Sequence, residues 1–267
     1  MARTLSFTKM QATGNDYVYV WLPTNVVDDP AKTSVALSKP HIGIGSDGLI
    51  LIDKASGDAD FSMRIFNSDG SEAQMCGNGI RCVARYLYDH QLTRQTQLRI
   101  ATRSGVRYVR LHLDPASRNV ASVSVDMGQP QLLGAPQVSL PGATLVSMGN
   151  PHCVCLVDDA TLVALESEGP RLEHEAMGDG RRCNVEFVSP LPEGQLRMRV
   201  WERGSGITQS CGTGACAALV AAHNAGLVQR TAHIITDGGR LTVSWHPDNH
   251  VWLEGPAETV FEGTISI

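Results

Sequence analysis

Residues 63–67 read Met-Arg-Ile-Phe-Asn, and nine residues past Asn67 the chain reads Cys76-Gly77-Asn78-Gly79. Residues 198–202 read Met-Arg-Val-Trp-Glu, and nine past Glu202 it reads Cys211-Gly212-Thr213-Gly214. Both stretches recur at an offset of 135 residues (198 − 63 and 211 − 76), and Gly14-Asn15 recurs as Gly149-Asn150 at the same offset. Three matches at one offset, close to half of a 267-residue chain, mark an internal duplication. We expect one unit folded twice about a pseudo-two-fold axis. Residues that differ between the copies, such as Asn67 against Glu202, then distinguish the two sides of one shared site.

Working outward, 61–66 and 196–201 alternate polar and apolar residues, as half-buried strands do. Each Cys-Gly-x-Gly is followed by a helical pattern. Ile80 to Tyr88 places apolar groups at helical spacing, with Arg81, Arg85 and Asp89 read as a solvated face. Ala215 to Ala222 is nearly all apolar, which predicts a helix buried on most sides. Further strands are expected at 17–21, 98–102, 106–113, 120–127, 153–157 and 241–245. Gly43-x-Gly45-x-x-Gly48 spells a nucleotide-binding glycine pattern, but a strand-like Leu49-Ile50-Leu51-Ile52 follows instead of a helix, so it reads as a turn. Residues 128–143, rich in Gly, Pro and Gln, read as a crossing between halves. The fold class is α+β, two pseudo-symmetric lobes, each a mostly antiparallel sheet wrapped around a central helix.

Composition bounds the function. Hydrophobic residues make up 42% and charged residues 18%, an ordinary globular balance. The net charge of −5, without a basic run, argues against nucleic-acid and anionic-membrane partners. No signal peptide is read in the first ten residues and no stretch nears the ~18 apolar residues of a membrane span, so a cytoplasmic protein is expected. The seven cysteines are an odd number and lack the C-x2-C spacing of zinc sites, which argues against a disulfide scaffold and a metal. The other histidines (His41, His90, His112, His174, His223, His233, His246, His250) show no ligand spacing and read as surface or structural. Cys82, Cys155, Cys183 and Cys216 read as small buried hydrophobes.

Cys76 and Cys211 differ from these because each stands at a helix start. A helix N-terminus carries roughly half a positive charge, which attracts a carboxylate and favours thiolate over thiol. Two such sulfurs suit inversion at the α-carbon of an amino acid, one removing the proton and the other delivering one to the opposite face. The resting state then holds one thiolate and one thiol, which titrate as a coupled pair. Backbone donors aimed at the substrate carboxylate stabilise the carbanion, each worth roughly 2.7–4 kcal/mol by analogy with oxyanion holes. No cofactor is required, and the four lysines (Lys9, Lys32, Lys39, Lys54) sit in no pyridoxal phosphate motif.

These residues resemble the diaminopimelate epimerase family along nearly the whole chain. The resemblance is carried by Ala12-Thr13-Gly14-Asn15-Asp16, Gly43 to Gly48, Phe66 to Glu72, Met75 to Cys82, Gly149-Asn150-Pro151-His152, Asn184-Val185-Glu186-Phe187, Glu202-Arg203-Gly204 and Cys211 to Ala215. It implies a pyridoxal-phosphate-independent epimerase acting on LL-2,6-diaminopimelate, on the path to lysine and peptidoglycan, and a homodimer. It implies a C-terminal segment that returns to the first lobe, which gives an N-terminal lobe of residues 1–122 joined by 256–267, and a C-terminal lobe of 123–255. Carried over, Cys76 and Cys211 are the base–acid pair, with His152 and Glu202 poising the thiols. Gly77, Asn78, Gly212 and Thr213 hold the reacting carboxylate. Asn15, Asn67, Asn150, Asn184, Glu202 and Arg203 grip the substrate, Arg203 suiting the distal carboxylate and Glu202 the distal ammonium. The chain departs from the pattern at Gly48, where some members carry Gln, and at Ser210, where Ala is frequent.

Other readings keep parts of this constellation. A racemase of another amino acid, such as histidine, on the same fold keeps both sulfurs and alters the distal pocket. A thiol redox switch uses a Cys76–Cys211 disulfide. A non-catalytic amino-acid-binding protein does not need both thiols. Asn67, Asn184 and Arg203 together favour the two-ended substrate.

Overall fold

The computed structural model describes residues 3–138 and 140–267. The reading that the first ten residues hold no signal peptide and that of a crossing at 128–143 therefore fall partly on residues outside the described ones. In chain order the elements are β1 (Thr4–Ala12), β2 (Asn15–Trp21), α1 (Pro30–Ser38), β3 (Gly48–Lys54), β4 (Phe61–Asn67), β5 (Glu72–Ala73), α2 (Gly77–Asp89), β6 (Gln97–Thr102), β7 (Gly105–Leu113) and β8 (Val120–Asp126). There follow β9 (Gln131–Gly134), β10 (Ala143–Ser147), β11 (Pro151–Leu156), α3 (Leu165–Glu175), β12 (Asn184–Leu191), β13 (Gln195–Glu202), β14 (Gly206–Thr208), α4 (Gly212–Asn224), β15 (Thr231–Thr236), β16 (Gly239–Trp245), β17 (Val251–Gly255) and β18 (Glu258–Ser266). The chain divides into two compact units, Met1–Val125 with Gly255–Ile267, and Asp126–Glu254.

In the first unit β1 pairs antiparallel with β2, β2 parallel with β3, and β3 antiparallel with β4. β4 takes β5 antiparallel and β6 parallel, and β6, β7 and β8 continue as an antiparallel meander. In the second unit β10, β11, β12, β13, β14, β15, β16 and β17 repeat every one of these pairings in the same sense. The duplication is thus carried by hydrogen-bond topology as well as by sequence. β18 closes the first unit on β1, and β9 stands in the same place on β10. The α+β class and the two repeats stand as expected. The stretch expected only to cross between halves also contributes the short strand β9, which its Gly, Pro and Gln content hides.

Each unit winds its sheet around one helix. α2 packs on β1, β2 and β7, and α4 on β10, β11, β12 and β16. In α4 every residue from Gly214 to Ala222 is buried, as its apolar run requires. Fully burying residues such as Leu219 and Val220 contributes roughly 1.5–3 kcal/mol each before entropy is counted. A second helix lies over the outer face. Asp29 caps α1 by accepting from Lys32 N at 3.1 Å, ahead of Pro30 at its first turn. Leu37 of α1 joins Leu5, Val18, Val20, Leu49, Leu51 and Phe66 in one apolar cluster. α3 does the same in the second unit through Leu165 and Leu172 against Cys153, Cys155, Val185 and Phe187.

One expectation is overturned. Arg81, read as part of a solvated helix face, is 0% exposed. Its guanidinium donates from Nε to the Pro256 carbonyl at 3.2 Å, from Nη1 to the Gly77 carbonyl at 3.2 Å and from Nη2 to Thr13 Oγ1 at 3.5 Å. Arg85 likewise donates to the Ala257 carbonyl at 2.6 Å, while Asp89 beside it stays exposed. The C-terminal return runs over this helix face and needs donors for its carbonyls, a long-range demand that helical periodicity does not carry. Arg81 also holds Gly77, next to Cys76, and Thr13, two residues before Asn15, so the packing of the returning segment reaches the start of α2.

Arg81→Met removes the donors and keeps most of the volume. We expect a loss of about 1.5–3 kcal/mol for the charged hydrogen bonds. Amide exchange should quicken across β18 before it does in β15 or β16, which hydrogen-exchange mass spectrometry reads directly.

Candidate active site

Both helix starts are built alike. Cys76 is the N-cap of α2, in extended backbone (φ −139°, ψ 117°), and its Sγ accepts from Gly79 N at 3.3 Å. Cys211 is the N-cap of α4 (φ −120°, ψ 116°), and its Sγ accepts from Gly214 N at 3.4 Å. Helix caps are ordinarily the oxygen of Ser, Thr, Asp or Asn. A sulfur in that place is a weak acceptor, and it leaves the first-turn N–H groups of Gly77, Asn78, Gly212 and Thr213 outside the helix's own ladder. The last glycine of each motif is fixed by close approach. A Cβ on Gly79 would stand 2.7 Å from Ile50 Cδ1, and one on Gly214 would stand 2.5 Å from Glu186 Oε1.

Around Cys76 the β1–β2 hairpin supplies Asn15. The thiol donates to Asn15 Oδ1 at 3.5 Å, and Asn15 Nδ2 donates to Asp47 Oδ2 at 2.6 Å. The same carboxylate oxygen accepts Asp16 N at 3.0 Å. Although Asp47 is exposed as a residue, desolvation raises its carboxyl above the usual range together with the charge of Asp16. The bonds from Asp16 N and Asn15 pull the other way. Asn78 is 4% exposed on the first turn of α2. Asn67, at the end of β4, donates from Nδ2 to Ser71 Oγ at 2.9 Å and so is tied into its own turn.

Around Cys211 the arrangement differs. Glu202, at the end of β13, lies close enough to Cys211 for its charge to act on the thiol, and accepts Thr208 Oγ1 at 2.6 Å. Burial pushes its carboxyl up, and Thr208 and Cys211 oppose the push. The Cys211 thiol, 5% exposed, is pushed well above its ordinary range by burial first and then by the charges of Glu202 and Glu186. Thr213 and the N–H of Gly214 act against this and do not prevail. The helix start alone predicts a favoured thiolate; here desolvation and two carboxylates outweigh it, and Cys211 is a thiol at neutral pH.

His152 reaches this sulfur only through other groups. It is 0% exposed, with Nδ1 at 2.7 Å from Glu186 Oε1 and Nε2 at 3.2 Å from Asn150 Oδ1. Asn150 Nδ2 donates to Thr213 Oγ1 at 3.3 Å, and Thr213 Oγ1 lies 3.5 Å from Cys211 Sγ. His152 therefore positions Asn150 and Thr213 and touches no sulfur itself. Asn184 and Arg203 are brought together, Arg203 N donating to Asn184 Oδ1 at 2.8 Å. Arg203 is exposed and gives one guanidinium N–H to the Arg182 carbonyl at 3.2 Å. Glu186, 0% exposed, and Asp47 are partners that the sequence reading passed over. Both stand inside quoted motifs, Asn184-Val185-Glu186-Phe187 and Gly43 to Gly48, but their bonds depend on strand neighbours that local pattern does not assign.

Fold and half-sites together define a class: duplicated α+β proteins that present one cysteine at the start of the central helix in each repeat. The sequence profile of the diaminopimelate epimerase family matches residues 7–133 and 144–260, and the chain belongs to that family. A diaminopimelate epimerase of Bacteroides thetaiotaomicron is 49% identical, with 99% of each chain aligned. One from Phocaeicola vulgatus is 48% identical over 100% of each chain. Among solved structures, a phenazine biosynthesis protein of the PhzF family from Bacillus anthracis matches with a TM-score of 0.76 over 99% of this chain and 100% of that one. At 16% identity that likeness carries the fold alone.

The charge on Glu202 adds to burial in keeping Cys211 protonated, so Glu202→Gln should bring its thiol down. In the reduced variant, the pH midpoint of iodoacetamide alkylation at Cys211, read by peptide mass spectrometry, should fall below that of the wild type. An unmoved midpoint would show burial and Glu186 to be responsible without Glu202.

Proposed function

We propose that this protein is a cofactor-independent epimerase that inverts one α-carbon of LL-2,6-diaminopimelate to give the meso isomer, with Cys76 and Cys211 as the acid–base pair. The observation that carries this reading is the pair of sulfur N-caps, each accepting the N–H three residues on. The chain's membership of the family and full-length relatives of that name support the substrate.

The chemistry needs both sulfurs to serve one α-carbon from opposite faces. A thiolate takes the α-hydrogen as a proton and becomes S–H. The electron pair left on carbon delocalises into the carboxylate, whose growing charge is met by the N–H groups of Gly77, Asn78, Gly212 and Thr213. The other sulfur gives up its S–H proton to the opposite face and becomes the thiolate. Configuration inverts, and the two sulfurs exchange states until product leaves. Cys211, held as a thiol in the ligand-free protein, enters as the donor, and Cys76 enters as the base. On the return reaction the parts reverse.

The rest of the site holds the substrate's ends. Arg203, with one of its five donors given to a backbone carbonyl, suits a forked bond to the distal carboxylate. Glu202 is the charge on Cys211 and the carboxylate suited to the distal ammonium. Asn15, Asn67, Asn150 and Asn184 complete a polar lining without net charge, as a zwitterion at each end requires. His152 keeps its place through Asn150. The enzyme works in the cytoplasm, a reducing compartment that keeps its seven free cysteines reduced. The family resemblance supports a homodimer, which light scattering on the reduced protein reads. No helix among the described residues is long and apolar enough to cross a membrane.

Reduced protein incubated with LL-diaminopimelate in heavy water should place deuterium at the α-carbon with inversion, followed by NMR. Cys76→Ser and Cys211→Ser should each abolish inversion while the fold is kept. Turnover of L-histidine without turnover of diaminopimelate would overturn the substrate.

A further inference from the structure

The amide of Asn15 has a fixed sense, and Asp47 fixes it. An ionised carboxylate only accepts hydrogen bonds. The Asn15 atom at 2.6 Å from Asp47 Oδ2 must therefore be the NH2 group, and the atom 3.5 Å from Cys76 Sγ must be the carbonyl oxygen. The ambiguity that usually attends an asparagine amide is removed by its partner. Asp47 is itself held. Its N–H donates to the Asp16 carbonyl at 2.9 Å, its carbonyl accepts Ser68 N at 2.9 Å, and Oδ2 also takes Asp16 N at 3.0 Å. Cys76 thus lies between a donor, Gly79 N at 3.3 Å, and an acceptor, Asn15 Oδ1.

We infer that Asp47 is a positioning residue for the reaction: by holding the Asn15 amide with its oxygen toward Cys76, it provides the acceptor for the S–H that Cys76 acquires when it takes the α-proton. The inference rests on the proposed role of Cys76 as base. Without Asp47 the amide is free to turn its NH2 onto the sulfur. That would stabilise the thiolate, lower the affinity of Cys76 for a proton and make it a weaker base. The loss of the Asp47 charge acts in the same direction. The other titratable groups on this cluster are Lys9, whose Nζ is 2.8 Å from Asp16 Oδ2, together with Tyr19 and Cys82, both of which feel the charge of Cys76. None of the three bonds Asn15.

The test reads Cys76 without substrate, by the pH profile of iodoacetamide alkylation resolved by peptide mass spectrometry. Asp47→Ala should move the Cys76 midpoint down by about one unit, the size of effect a lost hydrogen-bonding or charged neighbour produces. Asn15→Ala, which removes the acceptor outright, should move it the same way. In the double variant Asp47→Ala should add little, as expected of residues acting in series. Asp47→Asn keeps an oxygen for Asn15 and should stay closer to the wild type in midpoint and in kcat. An unmoved midpoint in Asn15→Ala overturns the inference whatever Asp47→Ala does. So do equal shifts from Asp47→Ala with and without Asn15, which would make Asp47 a bare charge. Failure of the wild type to epimerise diaminopimelate would sink the functional reading and leave this alkylation profile standing as its own result.

Discussion

The first turn of a buried helix has N–H groups that its own ladder does not use, and the chain must give them partners or leave them for a ligand. This protein answers with sulfur, twice. A Ser or Asp cap stabilises a helix by typically about 1 kcal/mol, and sulfur accepts a hydrogen bond less well than oxygen. The choice of Cys at 76 and 211 therefore runs against helix stability, and what it gains is a thiol set in the helix's positive end. The stability is recovered elsewhere. α4 is buried from Gly214 to Ala222, and α2 has Arg81 tied to the returning C-terminal segment. Helix starts that carry chemistry are affordable only because the helices are central.

That centrality was legible in the sequence, and so was the duplication. A motif repeated at a fixed offset needs no structure to be seen, and an apolar run such as Ala215 to Ala222 fits only a helix surrounded on most sides. Strand alternation located β4 and β13 for the same reason. What local pattern could not carry was pairing at long range. β18 lies beside β1 across some 250 residues of chain, and its arrival turns Arg81 from a surface residue into a buried clamp. β9 is only four residues long and is set among Gly and Pro residues, too short for its period to show. Glu186 and Asp47 sat in view inside recognised motifs. Their function depends on which side chain faces them, His152 for one and Asn15 for the other, and facing is a property of strand register.

The glycines of the two motifs show how tightly register and chemistry are joined. Gly214 leaves room for the Glu186 carboxylate, which holds His152, and Gly79 leaves room for Ile50. The same position in the two copies accommodates a charged network in one and an apolar contact in the other. The duplicated backbone has been kept, pairing for pairing, while the side chains behind each helix start have diverged.

That divergence has a chemical sense when the two sulfurs are compared, each within its own unit. Cys76 faces a neutral acceptor, the Asn15 amide oxygen, and Cys211 faces a carboxylate, Glu202. A carboxylate favours the protonated thiol far more strongly than an amide does, because it brings a full negative charge into a poorly solvated place. An inversion by two bases needs one proton shared between two sulfurs, and two identical environments would leave its resting place undecided. Burial together with the charges of Glu202 and Glu186 makes the thiol the favoured form of Cys211 in the free protein. Cys76 has the Asn15 amide oxygen as an acceptor for its S–H. The difference cannot be large without stalling the reverse reaction, in which the sulfurs must exchange states. A half-buried amide held by Asp47, set against a half-buried carboxylate bonded by Thr208, is a way to keep that difference modest, since Thr208 draws off part of the charge that Glu202 directs at the sulfur.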